Sequence, residues 1–157
     1  AEHDPLTDLL NRGSFNRIFP ICCQGKSPFA LILVDIDHFK SINDTCGHTA
    51  GDEAIKRVAA QLKSAFRSED YTFRIGGDEF AVIMVDVSEA LREPLEERLR
   101  LLCDTVADGG SDLPPISISA GAAFSDRRNP EGTLFNDADK ALYDVKEHGK
   151  ANYRIFG

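Results

Sequence analysis

The sequence predicts an α+β fold in which a central, mostly antiparallel five-stranded sheet is flanked by helices, and three features of the 157-residue chain carry the prediction. Tyr71 to Ile75 and Phe80 to Val85 are strand-like runs joined through Gly76, Gly77, Asp78 and Glu79, which reads as a hairpin. Phe29 to Ile36 is an apolar run of strand length. The order helix, strand, helices, hairpin, helix, strand, helix, strand lacks the regular alternation of a doubly wound sheet and fits antiparallel pairs with helices packed against them.

Taken in chain order, a first helix is expected from about Leu6 to Phe19, ending before a Pro20 to Pro28 loop that Gly25, Lys26 and Ser27 mark as exposed. The core strand Phe29 to Ile36 follows. A short helix from about His38 to Thr45 precedes a longer one, where Ile55, Val58, Ala59, Leu62 and Phe66 recur at helical spacing and form a core face. After the hairpin, Pro94 with Glu96 and Glu97 behind it reads as a helix start, and Leu95, Leu99, Leu102 and Val106 supply its buried stripe. The Asp108-Gly-Gly-Ser111 run is expected to close that helix. Ile116 to Phe124 is another strand, Leu134, Ala138, Leu142 and Val145 line a last helix, and Asn152 to Phe156 completes the sheet. With no repeat or low-complexity segment, residues 1–157 read as one domain, large enough to bury roughly 70% of the surface that its unfolded chain exposes.

Two acidic places interrupt this apolar framework. Glycines at 76 and 77 accept positive φ in a tight turn and let another group approach the backbone, and Asp78 and Glu79 follow at once. Residues that begin a strand point to opposite faces, so one acid can reach a metal or substrate while the other contacts the helix layer or a partner. Asp35 and Asp37 stand where the core strand ends. Carboxylates from two neighbouring strands form a hard-oxygen site suited to Mg²⁺, and Mg²⁺ bridged to phosphates implies phosphoryl or nucleotidyl transfer. Taken singly, a Gly-Gly hairpin is common, and acids at a strand end are often helix caps or turn residues.

A formal charge of −8 argues against a nucleic-acid binder, because the chain has no basic stripe to track phosphates and no interleaved aromatics to stack bases. A small anion held through metal is the better partner. Cys22 and Cys23 are adjacent while Cys46 and Cys103 stand alone, which suits neither a zinc knuckle nor a disulfide framework and predicts a reducing, cytoplasmic setting. No apolar run reaches membrane-spanning length and no signal peptide precedes Asp4. The abrupt start at the first motif is expected of a domain excised from a longer sensory protein.

In fixed order the chain carries Asp4-Pro-Leu-Thr-Asp-Leu-Leu-Asn-Arg12, Asp35-Ile-Asp-His-Phe-Lys-Ser-Ile-Asn-Asp44, Gly47-His48, Gly51-Asp52, Gly76-Gly-Asp-Glu-Phe80, Ser117-Ile-Ser-Ala-Gly-Ala122 and Ala138-Asp-Lys-Ala-Leu-Tyr143 with Lys146. Over essentially its whole length it resembles the GGDEF domains of the diguanylate cyclase family. The resemblance implies a fold similar to the palm of nucleotide cyclases and polymerases. As activity it implies condensation of two GTP into cyclic di-GMP with loss of pyrophosphate, in a site shared by two copies of the domain. It further implies Mg²⁺, or Mn²⁺, held by Asp35, the backbone carbonyl of Ile36 and Asp78, with either Asp78 or Glu79 taking the hydroxyl proton. Asp37 stays open, since it could simply cap the following helix. Phosphate contacts would come from the backbone around His38 and Phe39 and from Lys40, Lys146 and Lys150. At residue 150 the family usually has Arg, and Ala151 departs from the customary polar residue, so the terminal phosphate loses bidentate contacts. Guanine recognition would fall to Asn43 and Asp52, with His48 lining the pocket. Asp52 can accept from guanine N1–H and N2–H₂, a pair of donors that adenine lacks.

Arg67-Ser-Glu-Asp70, separated from Gly76 by five residues, has the spacing of the family's inhibitory product site, with Arg98 as an additional arginine. The same residues also suit a surface i, i+3 ion pair at a helix end. The alternative function is a catalytically weak or inactive domain that serves as a receptor for GTP or cyclic di-GMP.

Overall fold

The structure, a computed structural model, describes residues 2–107 and 115–157. The expected closure at Asp108 to Ser111 lies outside the described residues. The strands β1 (Phe29–Ile36), β2 (Tyr71–Arg74), β3 (Glu79–Val85), β4 (Ile118–Phe124) and β5 (Tyr153–Ile155) form one sheet in the order β2-β3-β1-β4-β5. All neighbours are antiparallel except β4 and β5, which run parallel. The helices are α1 (Arg12–Gln24), α2 (Phe39–Cys46), α3 (His48–Ala65), α4 (Glu93–Ala107) and α5 (Leu134–Glu147).

β1 is buried at every position because it is the central strand and helices cover both faces. Its side chains divide by parity. Ala30, Ile32, Val34 and Ile36 pack with Ile55, Val58 and Leu62 of α3 and Leu95, Leu99 and Leu102 of α4. Phe29, Leu31 and Leu33 pack with Phe15 of α1 and with Ala138 and Leu142 of α5. The second face therefore points toward α5, which decides the surroundings of Asp35. Among the described residues no helix is long and apolar enough to cross a membrane.

The largest departure from expectation is at the N-terminus. Residues 6–10 do not enter α1, which begins at Arg12 behind Asn11, whose side chain accepts from the Ser14 N–H at 2.9 Å. The preceding segment instead lies along the edge of β2, where Leu10 N–H donates to the Thr72 carbonyl and Arg74 N–H donates to that of Leu10. The leucines at 6, 9 and 10 mimic a helical stripe, but Leu9 is buried in the α3/α4 core and Leu6 packs against it. At its other end α1 continues through Pro20. The Phe15–Phe19 stack and the Phe19–Phe29 edge contact hold that part of α1 on the sheet and offset the backbone bond that proline forgoes.

Candidate active site

Asp35 faces Glu79 across the β1/β3 ladder and Ser119 across the β1/β4 ladder. By parity it continues the face of Leu31 and Leu33 toward α5, whose last turn brings the Lys146 ammonium onto its carboxylate. Glu79 shares this face, since Ala81 and Ile83 of the same strand lie in the α1/α5 core. Asp78 precedes β3, so the alternation expected of the two acids begins one residue later. The Asp78 carbonyl accepts from Ile36 N–H at 3.2 Å, tying the end of β1 to the turn.

Negative charge is in excess here. Burial pushes the Asp35 carboxyl up, its bond to Lys146 pulls it back, and the charges of Asp78 and Asp139 push it up again, for a net rise. Glu79 is raised by burial and then by Asp35 and Asp78, with Lys146 and Arg12 opposing. Burial lowers Lys146, but its bond to Asp35 and the charges of Asp35, Asp78 and Glu79 outweigh that and leave the ammonium more firmly protonated. One lysine thus serves three carboxylates. Among the described residues no three His, Cys, Asp or Glu side chains close into a cation cage, so a hard cation bound here would draw further oxygens from main chain, water or ligand.

The hairpin turn works differently from expectation, because neither Gly76 nor Gly77 adopts positive φ. Gly76 leaves room for Glu79: a Cβ there would lie 2.9 Å from the Glu79 carboxylate and would make that side chain shift. Two arginines hold the loop by its carbonyls. Arg12 donates to Ile75 at 3.1 Å, and Arg74 donates to Gly76 at 3.2 Å and Gly77 at 2.9 Å. Arg74 also pairs with Asp4 at 3.1 Å, and Asp4 accepts from the N–H and hydroxyl of Thr7. From the sequence, Asp4, Arg12 and Arg74 carried no assigned role. The available signal was a cation inside a strand run beside two glycines, with an acid far upstream to balance it.

Asp37 does not cap α2. The cap residue is His38, at φ +55°, and its side chain makes no capping hydrogen bond. The Asp37 carboxylate instead accepts from the hydroxyls of Ser117 and Ser119, each at 2.6 Å, and from Ala151 N–H at 3.0 Å. Beside this, Lys40 is exposed and Phe39 packs part-buried on the core. The Asn43 amide lies against Gly51, where any Cβ would collide with it, so α2 and α3 approach closely next to Asp52. Asp52 and His48 are exposed in the first turns of α3. Lys150 is half-buried in the turn after α5.

Arg67 and Asp70 come together away from this site. Arg67 donates to both Asp70 oxygens, from Nε at 3.2 Å and Nη2 at 3.0 Å, and to the Val85 carbonyl at 2.5 Å, while Val85 N–H donates back to Asp70 at 3.0 Å. The Asp70 side chain has no exposed surface, and Arg67 keeps 31% of its own. Val85 ends the strand that Glu79 begins, roughly 20 Å away at the usual rise per residue. Arg98 donates to the Ala65 carbonyl at 2.6 Å, so all three residues gather at the C-terminal end of α3.

The family model for the diguanylate cyclase GGDEF domain matches residues 1–152. Diguanylate cyclase DosC of Escherichia coli (strain K12) is 36% identical over 160 residues, covering 98% of this chain and 35% of that protein. The chain spans 34–35% of the length of the curated relatives that it matches first. The GGDEF domain of DgcB from Caulobacter crescentus, solved in complex with c-di-GMP, aligns with a TM-score of 0.79 at 31% identity over 99% of this chain and 95% of that one. A form of TpbB (YfiN) from Pseudomonas aeruginosa comprising only the GGDEF domain gives 0.84 at 27% identity, over 99% and 94%. The carboxylates where β1 ends and β3 begins, the helices around them and this agreement along the chain have one common meaning: the protein belongs to the diguanylate cyclase GGDEF domain family.

Proposed function

We propose that the chain is the catalytic domain of a diguanylate cyclase, which joins two GTP through attack of each ribose 3′-hydroxyl on the other's α-phosphate and releases two pyrophosphates. The observation that carries this reading is the group Asp35, Asp78 and Glu79, three carboxylates served by the single ammonium of Lys146 beside the uncapped first turn of α2. Burial, and then neighbouring negative charge, raises Asp35 and Glu79, and such a cluster fits a divalent cation, Mg²⁺ or Mn²⁺, which Asp35, the Ile36 carbonyl and Asp78 would hold. When bound, that ion neutralises triphosphate charge and acidifies the attacking hydroxyl.

The remaining roles belong to the chain's own groups. Lys146, Lys40 and Lys150 supply cations for the phosphates, and the free N–H groups from His38 to Lys40 supply donors. Asn43 and Asp52, with His48, hold the guanine edge. Glu79, whose carboxyl burial and the Asp35 charge raise, takes the 3′-hydroxyl proton, and Asp78 serves the cation. One domain binds one GTP, so two copies must face each other for turnover. Product inhibition would use the exposed edge of Arg67 with Arg98, while Asp70 holds Arg67 in position. The reading sets the domain in the cytoplasm, in keeping with its free cysteines.

The test is product analysis after incubation of concentrated protein with GTP and Mg²⁺, alongside Asp78→Asn and a version fused to a dimerising coiled coil. Cyclic di-GMP that depends on Asp78 and rises more than linearly with protein concentration supports the reading. Absence of product even from the forced dimer overturns it and leaves a receptor, which cyclic di-GMP binding to the wild type but not to Arg67→Ala would then identify.

A further inference from the structure

The turn between α5 and β5 is strained. Gly149, Lys150 and Ala151 follow one another at φ +102°, +61° and +53°, and the last two carry a Cβ that disfavours this region. Something must hold the turn, and two contacts reach it. Lys150 N–H donates to the Val145 carbonyl at 3.0 Å, and Ala151 N–H donates to Asp37 at 3.0 Å. Asp37 is a firm anchor: it is 5% exposed, fixed by two serine hydroxyls at 2.6 Å, and its own N–H donates to the Ser117 carbonyl at 2.9 Å.

The same turn follows directly on the end of α5. Lys150 lies within the strained segment, so the conformation at 149–151 governs where its ammonium stands, while Lys146 lies just upstream in the last turn of α5. We infer that Asp37 is a positioning residue: its buried carboxylate clamps the strained turn through the Ala151 N–H and so sets Lys150, beside Lys146 of α5, for a triphosphate. This rests on the proposed cyclase reading for its consequence, though not for the clamp itself. Asp37 thereby acts as a hydrogen-bond acceptor rather than through its charge. An asparagine can do the same, with its oxygen toward Ser117 and Ala151 and its amide donating to the Ser119 hydroxyl.

The first measurement is amide hydrogen exchange on the purified domain, which needs no turnover. Ala151 N–H is expected to be protected in the wild type and in Asp37→Asn. In Asp37→Ala it should exchange at least about tenfold faster, with the β1/β3 ladder unchanged. In turnover, Asp37→Ala is expected to raise the KM for GTP roughly tenfold with a smaller change in kcat, and Asp37→Asn to stay within about twofold. Ala151→Gly added to Asp37→Ala should restore most of the KM, because glycine adopts positive φ without the Cβ strain that the clamp otherwise offsets. A purely structural loss of stability would not be rescued in this way. If Asp37→Ala fails to fold, the Ser117→Ala/Ser119→Ala pair loosens the same carboxylate and is expected to move exchange and KM in the same direction.

Rapid exchange at Ala151 in the wild type overturns the inference, as does an Asp37→Asn as damaged as Asp37→Ala, or no rescue by Ala151→Gly. A wild type with a protected Ala151 and no product would instead sink the cyclase reading and leave the clamp standing.

Discussion

At the first turn of α5, Asp137 sits 2.6 Å from Arg127; at its last turn, Lys146 meets Asp35. Asp137 also accepts from Glu131 N–H at 3.2 Å and Gly132 N–H at 2.9 Å, and Arg127 donates onward to the carbonyls of Phe124 and Gly132. Both side chains are buried, at 2% and 7% exposure, and the bonding capacity of each is largely taken up. Burial alone would raise the Asp137 carboxyl, but its bonds to Arg127, Glu131 and Gly132 outweigh that and hold it below the usual range. Asp35 ends up above its usual range because burial raises it more than its bond to Lys146 lowers it, and the charges of Asp78 and Asp139 add to the rise. The difference teaches how to tell a structural ion pair from a site in one helix. A pair saturated with donors has nothing left for a ligand, whereas carboxylates that outnumber their cations gain from one.

The largest effect expected from this contrast is at the open end. Asp35→Asn should cut cyclic di-GMP formation by roughly 10³-fold. The same change should raise the urea midpoint, because a neutral amide escapes the burial and repulsion that disfavour the carboxylate. A fall in both activity and midpoint would mean that Asp35 is structural and would break the comparison. At the closed end, Arg127→Met leaves a buried carboxylate unpaired and should cost about 3–5 kcal/mol in urea unfolding. A loss under about 1 kcal/mol would show that the pair is no better than a surface one.

Next in size is the pH dependence, which has opposite signs at the two ends. Asp137 is lowered from its ordinary 3.8, so the stability that it contributes is full above that value and is lost as pH falls through its folded value. Asp35 and Glu79 are raised from 3.8 and 4.5, so the fold favours their protonated forms, and that stability is present below those values and lost as pH rises through the folded ones. Unfolding measured across the carboxylate range should show the advantage of Asp35→Asn over wild type growing with pH. The deficit of Asp137→Asn should shrink as pH drops below 3.8. The smallest effect lies just beyond α5, where Ala151→Gly should relieve positive φ and add about 1 kcal/mol, read as a melting-temperature rise of about 2–4 °C. An unchanged or lower melting temperature would mean that the 149–151 turn is not strained at Ala151.

Much of this was legible from periodicity and order. β1 was read at its observed bounds, and the five strands and the stripes of α3, α4 and α5 were read within a few residues, because apolar spacing directly reports which face a helix or strand buries. The carboxylates at 35, 78 and 79 were conspicuous as charge where strand patterns stop. Residues 6–10 were misread because leucines that pack from a sheet-edge segment have the same spacing as those of a helix. The roles of Arg12, Arg74 and Asp37 were not legible, since each depends on a partner 63, 70 or 114 positions away in the chain.

The sequence by itself determined the fold class, the family and the clustering of acids at the ends of β1 and the hairpin, because these follow from local pattern and motif order. Tertiary structure decided which acids remain open to a ligand. Asp35 and Asp37 are two residues apart and alike on paper. Yet the Asp37 carboxylate is engaged by Ser117, Ser119 and the Ala151 N–H, while Asp35 shares one lysine with its neighbours. That distinction depends on how many donors reach each oxygen, and donors from β4, from the residue just before it, from the end of α5 and from the turn after it are counted only after the chain has folded.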